Sequence, residues 1–208
     1  MAAAPRTLGV ILAGGEGRRV NGQDKGLLPL HGKPVVERVL SSLRPQCGEL
    51  LIVANRNQGE YARHARVIGD DTIGHAGPLA GIAAVLALVT EHERRQFDGF
   101  DWLLTAPVDC PDLSPDLFTR LHAALLAAPD APCAYARHAH KLEPLFALYS
   151  LEFRDKLLAS ARDALGLHAS PLRWHLELGA LAVDFSDQAE AFRNLNSTED
   201  FHDYERHP

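Results

Sequence analysis

Cysteine is scarce in this chain. Its three residues, Cys47, Cys110 and Cys133, lie far apart and include no C-x-x-C pair. That pattern excludes a disulfide framework and a zinc site, and it fits free thiols in a reducing compartment. Positive charge is also in short supply: 21 lysines and arginines against 27 aspartates and glutamates leave a formal net charge of -6. General attraction to nucleic acid or to an acidic membrane is therefore not expected, and an anionic ligand must be held by a local cluster. Long apolar runs are missing too. The longest, LAGIAAVLALV from Leu79, falls well short of a membrane span. The shorter run near the start, in MAAAPRTLGVILAGG, continues directly into a glycine loop, so cleavage there would destroy the first strand, and no signal peptide is expected. A cytoplasmic protein is the expectation. The eleven histidines include no H-x-x-x-H pair with a supporting acid, and no Ser-His or Cys-His constellation is evident. No linker, charge block or repeat divides the chain.

What is present is an ordinary globular composition, 46% hydrophobic and 23% charged, over 208 residues. That length suits one well-buried α/β domain and is too short for two comfortable ones, so residues 1–208 are expected to form a single domain. LGVIL (Leu8–Leu12) and LLIVAN (Leu50–Asn55) are continuous aliphatic runs, the pattern of strands covered on both faces in a parallel sheet. Between them KPVVERVLSSLRP carries Pro34 at a plausible first helical turn and apolar residues at helical spacing. ARVIGDD predicts a short strand ending on paired acids, and PLAGIAAVLALVTEHERR a helix buried against the sheet. FDWLLTAPVDCPDL is a strand running into a proline-punctuated turn. SPDLFTRLHAALLAA follows as an amphipathic helix with Ser114 expected as N-cap and Pro115 at the first helical position. PCAYARH, EPLFALYS and ALAVDF read as later strands, and LEFRDKLLASARDAL as a further helix. Alternation of strands and helices argues for a doubly wound sheet, with room for antiparallel strands in the more irregular last third.

The informative stretch is GVILAGGEGRRVNGQDKGLL, Gly9 to Leu28. A dinucleotide fingerprint needs G-x-G-x-x-G; here Gly15, Gly17 and then Val20 fail at the last glycine, and the second strand ends VANRN without the expected acid. A P-loop fails as well, because Lys25 follows Asp24 and precedes Gly26. A third kind of phosphate loop fits better. Leu12-Ala13-Gly14-Gly15 after a strand leaves backbone N–H groups unpaired, able to close on a triphosphate and the edge of a base. From Gly14 to Lys33 four bases (Arg18, Arg19, Lys25, Lys33) face two acids (Glu16, Asp24), a local charge of +2 on an acidic protein. Lys25 can reach a phosphate as a mobile point charge, and Arg19 offers a planar fork. Asp109, in APVDCP where a strand meets a turn, is the metal candidate, since a carboxylate at that edge points into the ligand crevice. An Asx-turn before Pro111 is its rival reading. RHAHK at Arg137–Lys141 reads as a solvated loop or as a basic flap over an anionic group.

LAGGEGRRVNGQDKGLLPLHGKPVVERV resembles the signature of nucleotidyltransferases that begin L-A-G-G-x-x-x-R-M-G and continue D-K-x-L. The D-K-G-L-L form is similar to that of the molybdenum cofactor guanylyltransferases. VANRNQ, GDDTIGHAGPLAGI, LLTAPVDCPDLS, EPLFALY and NLNSTEDF follow in the family's order, so the resemblance covers essentially the whole chain. Three positions depart from it: Val20 for methionine, Asn21 for glycine, and Val53 where the family has the first asparagine of an N-x-N pair.

The resemblance implies a single-domain, Rossmann-like α/β fold, a doubly wound and mostly parallel sheet with helices on both faces. It implies transfer of GMP from GTP to molybdenum-molybdopterin with release of pyrophosphate, assisted by Mg2+ on Asp109. Lys25, Arg19 and Asp109 are the implied catalytic residues. Leu12, Ala13, Gly14, Gly15, Lys25, Asn55, Asp71 and Asp109 form the implied GTP site, with Asp70 ranked after Asp71. Glu143, Asn194 and Asn196 would lie on the pterin side. Molybdate-insertion proteins and apo-molybdoenzymes are the partners such a product implies. The competing readings are another nucleotidyltransferase of the same superfamily, using CTP on molybdopterin or acting on a sugar phosphate, and a non-catalytic nucleotide- or cofactor-delivery protein.

Overall fold

Aliphatic runs buried on both faces build the centre of the molecule. In the computed structural model, which describes residues 6–14, 23–70, 77–92 and 99–206, all six residues of β1 (Thr7–Leu12) are buried. β4 (Glu49–Val53), β5 (Arg66–Ile68) and β6 (Trp102–Pro107) run parallel to it, with Leu12 opposite both Val53 and Pro107 and Val53 opposite Ile68. β7 (Cys133–His138), β8 (Lys141–Ser150) and β9 (Leu181–Asp184) complete a seven-stranded sheet in the order β5-β4-β1-β6-β8-β7-β9. β8 is antiparallel to both neighbours, and β9 is parallel to β7. The sheet is thus mixed and mostly parallel. A two-residue ribbon, β2 (Pro29–Leu30) with β3 (Lys33–Pro34), stands apart from it.

Helices cover both faces. On one face α1 (Val35–Leu43), α4 (Leu117–Ala127) and α7 (Thr198–Arg206) close a core with Ile11, Ile52, Leu104 and Phe146. On the other, α3 (Pro78–Ala87), α5 (Arg154–Gly166) and α6 (Pro171–Leu178) pack over Leu8, Val10, Leu103 and Tyr149. Each fully buried leucine, isoleucine or valine of these layers contributes roughly 1.5–3 kcal/mol relative to exposure. α6 shows local chemistry at both ends: Ser170 accepts from the Arg173 amide, Pro171 opens the helix, and Gly179 terminates it at φ 71. A short helix, α2 (Gln58–Tyr61), follows β4. No helix of the described residues is long and apolar enough to cross a membrane.

Three sequence expectations are corrected locally. Ser114 does not cap α4. Its hydroxyl donates to Asp116 Oδ1 at 2.6 Å, and Asp116 occupies the cap position, because a turn at Pro115 and Asp116 precedes the helix. Pro34 pairs with Pro29 in the ribbon and stands just before α1 rather than within its first turn. α3 ends at Ala87 and passes into a wider π-type turn, Leu88–His92.

Candidate active site

Parallel strands bring their C-terminal ends to one edge, and four loops leave the sheet there. The ladder extends one residue past the strands: the Ala13 amide donates to the Val53 carbonyl at 2.8 Å, the Val108 amide to Leu12 at 3.1 Å, and the Ala54 amide to Ile68 at 3.0 Å. Of the Leu12–Gly15 segment, expected to leave backbone N–H groups unpaired, the Ala13 amide is therefore taken up by the sheet. Leu12 and Ala13 are buried, and the exposed part of the first loop begins at Gly14. Gly15, Arg19 and Asp71 lie outside the described residues.

Lys25, Asp109 and Asn196 meet at this edge. Lys25 opens a tight 3₁₀ turn, Lys25–Leu27, capped by Asp24. Its ammonium lies 3.0 Å from Asp109 Oδ2 and 2.6 Å from Asn196 Oδ1, although the partners are 84 and 171 residues away. Lys25 and Asp109 are each about one-fifth exposed, 19% and 20%. An ammonium has three donors, and among the described residues two are committed here. Asp109 also holds the C-terminal segment through its backbone, as its carbonyl accepts from the Leu195 amide at 2.8 Å. The Cys110 thiol donates to Asn194 Oδ1, so Asn194 is fixed beside the same strand end. Burial pushes the Cys110 thiol well above its ordinary pKa, and the charges of Asp109 and Glu143 add to the rise while Lys141 and Lys25 oppose it. This protonated thiol is a structural donor.

Asn196 is aimed by the helix that follows. Ser197 and Asp200 form a reciprocal cap at the start of α7: the Asp200 amide donates to Ser197 Oγ at 3.2 Å, and Asp200 Oδ2 accepts from the Asn196 and Ser197 amides at 2.8 and 2.7 Å. Burial alone would raise the Asp200 pKa, but the bonds from Asn196 and Ser197 hold it below the ordinary aspartate value.

Glu143 lies on a neighbouring wall. It is buried, and Lys141 Nζ and His138 Nε2 approach its Oε1 at 2.7 and 3.2 Å. The β7–β8 pairing shifts register between Tyr135 and Ala136, so Tyr135 faces Ala147 while Ala136 faces Glu143. Because β8 runs against β6, its first residues overhang the edge where β6 ends. His138 stacks on Phe192 at 5.3 Å, which joins this hairpin to the segment carrying Asn194. RHAHK is therefore the hairpin tip, with Glu143 as its internal counter-charge.

Asn55 sits further along the edge and does not join the Lys25 group among the interactions described. It forms a two-way pair with Asp70, donating from Nδ2 to Oδ1 at 2.6 Å and accepting the Asp70 amide at 2.9 Å. Asn57, Tyr61 and Asp24 were not singled out from the sequence as site residues, yet they surround the Lys25 turn. Asp24 accepts from Tyr61 Oη at 2.5 Å, from Asn57 Nδ2 at 3.1 Å and from the Gly26 amide at 3.3 Å. The only signal available was the acid adjoining the lysine in D-K-G-L-L.

Residues 9–177 match the family model described as a MobA-like NTP transferase domain. The molybdenum cofactor guanylyltransferase of Shewanella amazonensis is 41% identical over 194 residues, 91% of each chain. The chain belongs to the molybdenum cofactor guanylyltransferase family of nucleotidyltransferases. Another member, from Photobacterium profundum, is 34% identical over 204 residues, 98% of each chain. In fold, the chain is similar to the crystal structure of molybdopterin-guanine dinucleotide biosynthesis protein A from Archaeoglobus fulgidus. The TM-score is 0.71 at 24% identity, covering 96% of this chain and 97% of that one.

Nucleotidyltransferases of this kind generally use a divalent metal. Among the described residues no group of three or more His, Cys, Asp or Glu side chains converges as a metal cage. The donor set that does converge is oxygen: the Asp109 carboxylate and the Asn196 amide oxygen, both facing the Lys25 ammonium. A single carboxylate at a crevice fits a hard cation that keeps its waters and shares substrate phosphates, and not a resident structural ion.

Proposed function

We propose that this protein transfers GMP from GTP to molybdenum-molybdopterin, forming the guanine dinucleotide form of the cofactor and releasing pyrophosphate. The observation that carries the proposal is the convergence of Lys25, Asp109 and Asn196, from three distant segments, at the edge where the parallel strands end. Full-length relatives named for that activity support the substrate assignment. In the reaction an oxygen of the pterin's terminal phosphate forms a bond to the α-phosphorus of GTP. The bond from that phosphorus to the bridging oxygen breaks, and its electron pair leaves with pyrophosphate. Nucleophile and electrophile are both anionic, so neutralisation and alignment are the chemistry the protein must supply.

Lys25 supplies charge to the phosphates, and Arg19 adds its fork. Leu12, Ala13, Gly14, Gly15, Asn55 and Asp71 are assigned to the nucleotide. Glu143, Asn194 and Asn196 are assigned to the pterin side, where the Lys141 ammonium bonded to Glu143 limits repulsion of an incoming phosphate. Asp109 would hold Mg2+, which when bound offsets charge on the phosphate oxygens. We place the protein in the cytoplasm as one domain spanning residues 1–208, with molybdate-insertion proteins and apo-molybdoenzymes on either side of its reaction.

The test is turnover of purified protein with GTP and CTP side by side in the presence of molybdenum-molybdopterin. GTP is expected to be consumed and CTP spared. Lys25→Ala and Asp109→Ala should each lose most dinucleotide formation while keeping wild-type folding. Near wild-type turnover in either variant would overturn the assigned mechanism, CTP turnover the guanine assignment, and nucleotide binding without any product the catalytic reading.

A further inference from the structure

The acid preceding the catalytic lysine creates a problem that the surrounding residues solve. A carboxylate adjoining a triphosphate site repels the ligand unless it is turned away and held. Asp24 is held from both oxygens: Oδ1 accepts from the Tyr61 hydroxyl at 2.5 Å and the Gly26 amide at 3.3 Å, and Oδ2 from Asn57 Nδ2 at 3.1 Å. Among the described residues these three donors are neutral, and together they hold both carboxylate oxygens of Asp24. Tyr61 is fully buried and ends α2, and Asn57, at φ 52, forms the left-handed corner that starts it. The Gln58 side chain ties that corner back to β4 through the Ala54 carbonyl at 2.9 Å.

Packing reinforces the same link. A Cβ added to Gly26 would press on the Tyr61 hydroxyl and lie 2.6 Å from Val108 Cγ2. The Lys25 turn is therefore seated between Tyr61 and the residue preceding Asp109. Burial, and then the bond to the Asp24 carboxylate and its charge, push the Tyr61 phenol above its ordinary pKa, so it remains a hydrogen donor at neutral pH.

We propose that Tyr61 is a positioning residue for nucleotidyl transfer, acting through Asp24 to set Lys25 against the nucleotide phosphates. The proposal rests on the function given above and adds to it a residue remote from the reacting atoms. Tyr61→Phe keeps the buried ring and removes only the hydroxyl. It is expected to raise the KM for GTP roughly tenfold, the scale of losing one hydrogen bond to a charged group, with the KM for the pterin substrate changed less than twofold. Asp24→Asn should give a similar loss, and the double variant Tyr61→Phe/Asp24→Asn should be no worse than Asp24→Asn alone.

Calorimetric titration with GTP, CTP and ATP, with magnesium and without the pterin, gives the decisive ratio of Kd between wild type and Tyr61→Phe. A raised Kd with a melting temperature close to wild type supports the proposal. Unchanged nucleotide affinity, or effects of the two substitutions that simply multiply, would overturn it, as would loss of pterin and GTP affinity in equal measure. Should Tyr61→Phe melt markedly lower, Asn57→Ala removes a second side-chain donor to Asp24 and must weaken nucleotide binding in the same direction. Tight binding of CTP in place of GTP would overturn the guanine assignment while leaving the Tyr61 ratio readable on CTP. Binding of none of the three would overturn both.

Discussion

His175 makes the stability of this protein depend on pH in a calculable way. Its ring is fully buried, stacked on Tyr135 at 5.2 Å and packed against Trp174 and Tyr149. Nε2 meets the Tyr149 hydroxyl at 2.8 Å, while Nδ1 has no partner among the described residues. Burial pushes the imidazole down to about 4 from the ordinary 6.5. The neutral ring is thus favoured in the folded state. Above pH 6.5 both folded and unfolded chains carry it neutral, and the full stability is present. As pH falls from 6.5 toward 4 only the unfolded chain takes up the proton, so stability declines; below 4 this contribution is exhausted. A displacement of 6.5 − 4, or about 2.5 pH units, at ~1.36 kcal/mol each amounts to about 3 kcal/mol. That is a large share of the 5–15 kcal/mol typical of a folded domain. The assay is urea unfolding at constant ionic strength at pH 7.5, 6.5, 5.5 and 4.5, comparing wild type with His175→Gln. Glutamine keeps a polar partner for Tyr149 and does not titrate. Carboxylates elsewhere act equally on both proteins, so the difference between the two curves isolates His175. The wild type should lose stability relative to the variant, with the gap changing by ~2–3 kcal/mol between pH 7.5 and 4.5. Parallel curves would refute the reasoning.

Two other expectations follow from the site and the core. Because the Lys25 ammonium lies 3.0 Å from Oδ2 of Asp109, the carboxylate proposed to hold the metal, Lys25→Met should bind Mn2+ or Mg2+ more tightly than wild type in the absence of nucleotide, by calorimetry. Equal or weaker metal affinity would show that the two cations do not compete. Burial pushes the Cys47 and Cys133 thiols up to about 12, and Cys110 is also raised. All three thiols should therefore stay protonated and resist a disulfide reagent at pH 8 in the folded protein, then react together in denaturant. Rapid reaction of one thiol in native protein would contradict that.

The sheet was legible where burial on both faces leaves an unbroken aliphatic run, as in β1, β4 and β6. Lys25 and Asp109 were legible for a different reason: the loops that carry them have distinctive local chemistry, glycines beside cations in one case and a strand end before proline in the other. The reversal of β8 was anticipated only as a possibility, because strand direction is decided by pairing across the sheet and leaves little trace in a run such as EPLFALYS. Among the backbone N–H groups expected to be spare over Leu12–Gly15, that of Ala13 is paired for a related reason. Whether a backbone group after a strand is spare depends on how far the neighbouring strand extends, and here Val53 reaches it. Asp24 was read as one charge in a local sum. Its partner Tyr61 is 37 residues away, and nothing about a tyrosine at the end of a four-residue helix announces that its hydroxyl supports another loop. Ser114 followed by proline has the local pattern of a cap, but its hydroxyl bonds to the Asp116 carboxylate instead.

The sheet has short borders on both sides. In the described residues it ends in β5, with three residues, on one side and β9, with four, on the other. Arg66 is exposed on the first and Asp184 on the second, where it lies 3.4 Å from Arg137. A foreign strand arriving at either border would find only a few free peptide groups, flanked by charge, before the ladder gives out. Borders this short and this charged give a copy of the chain little ladder on which to build a fibre.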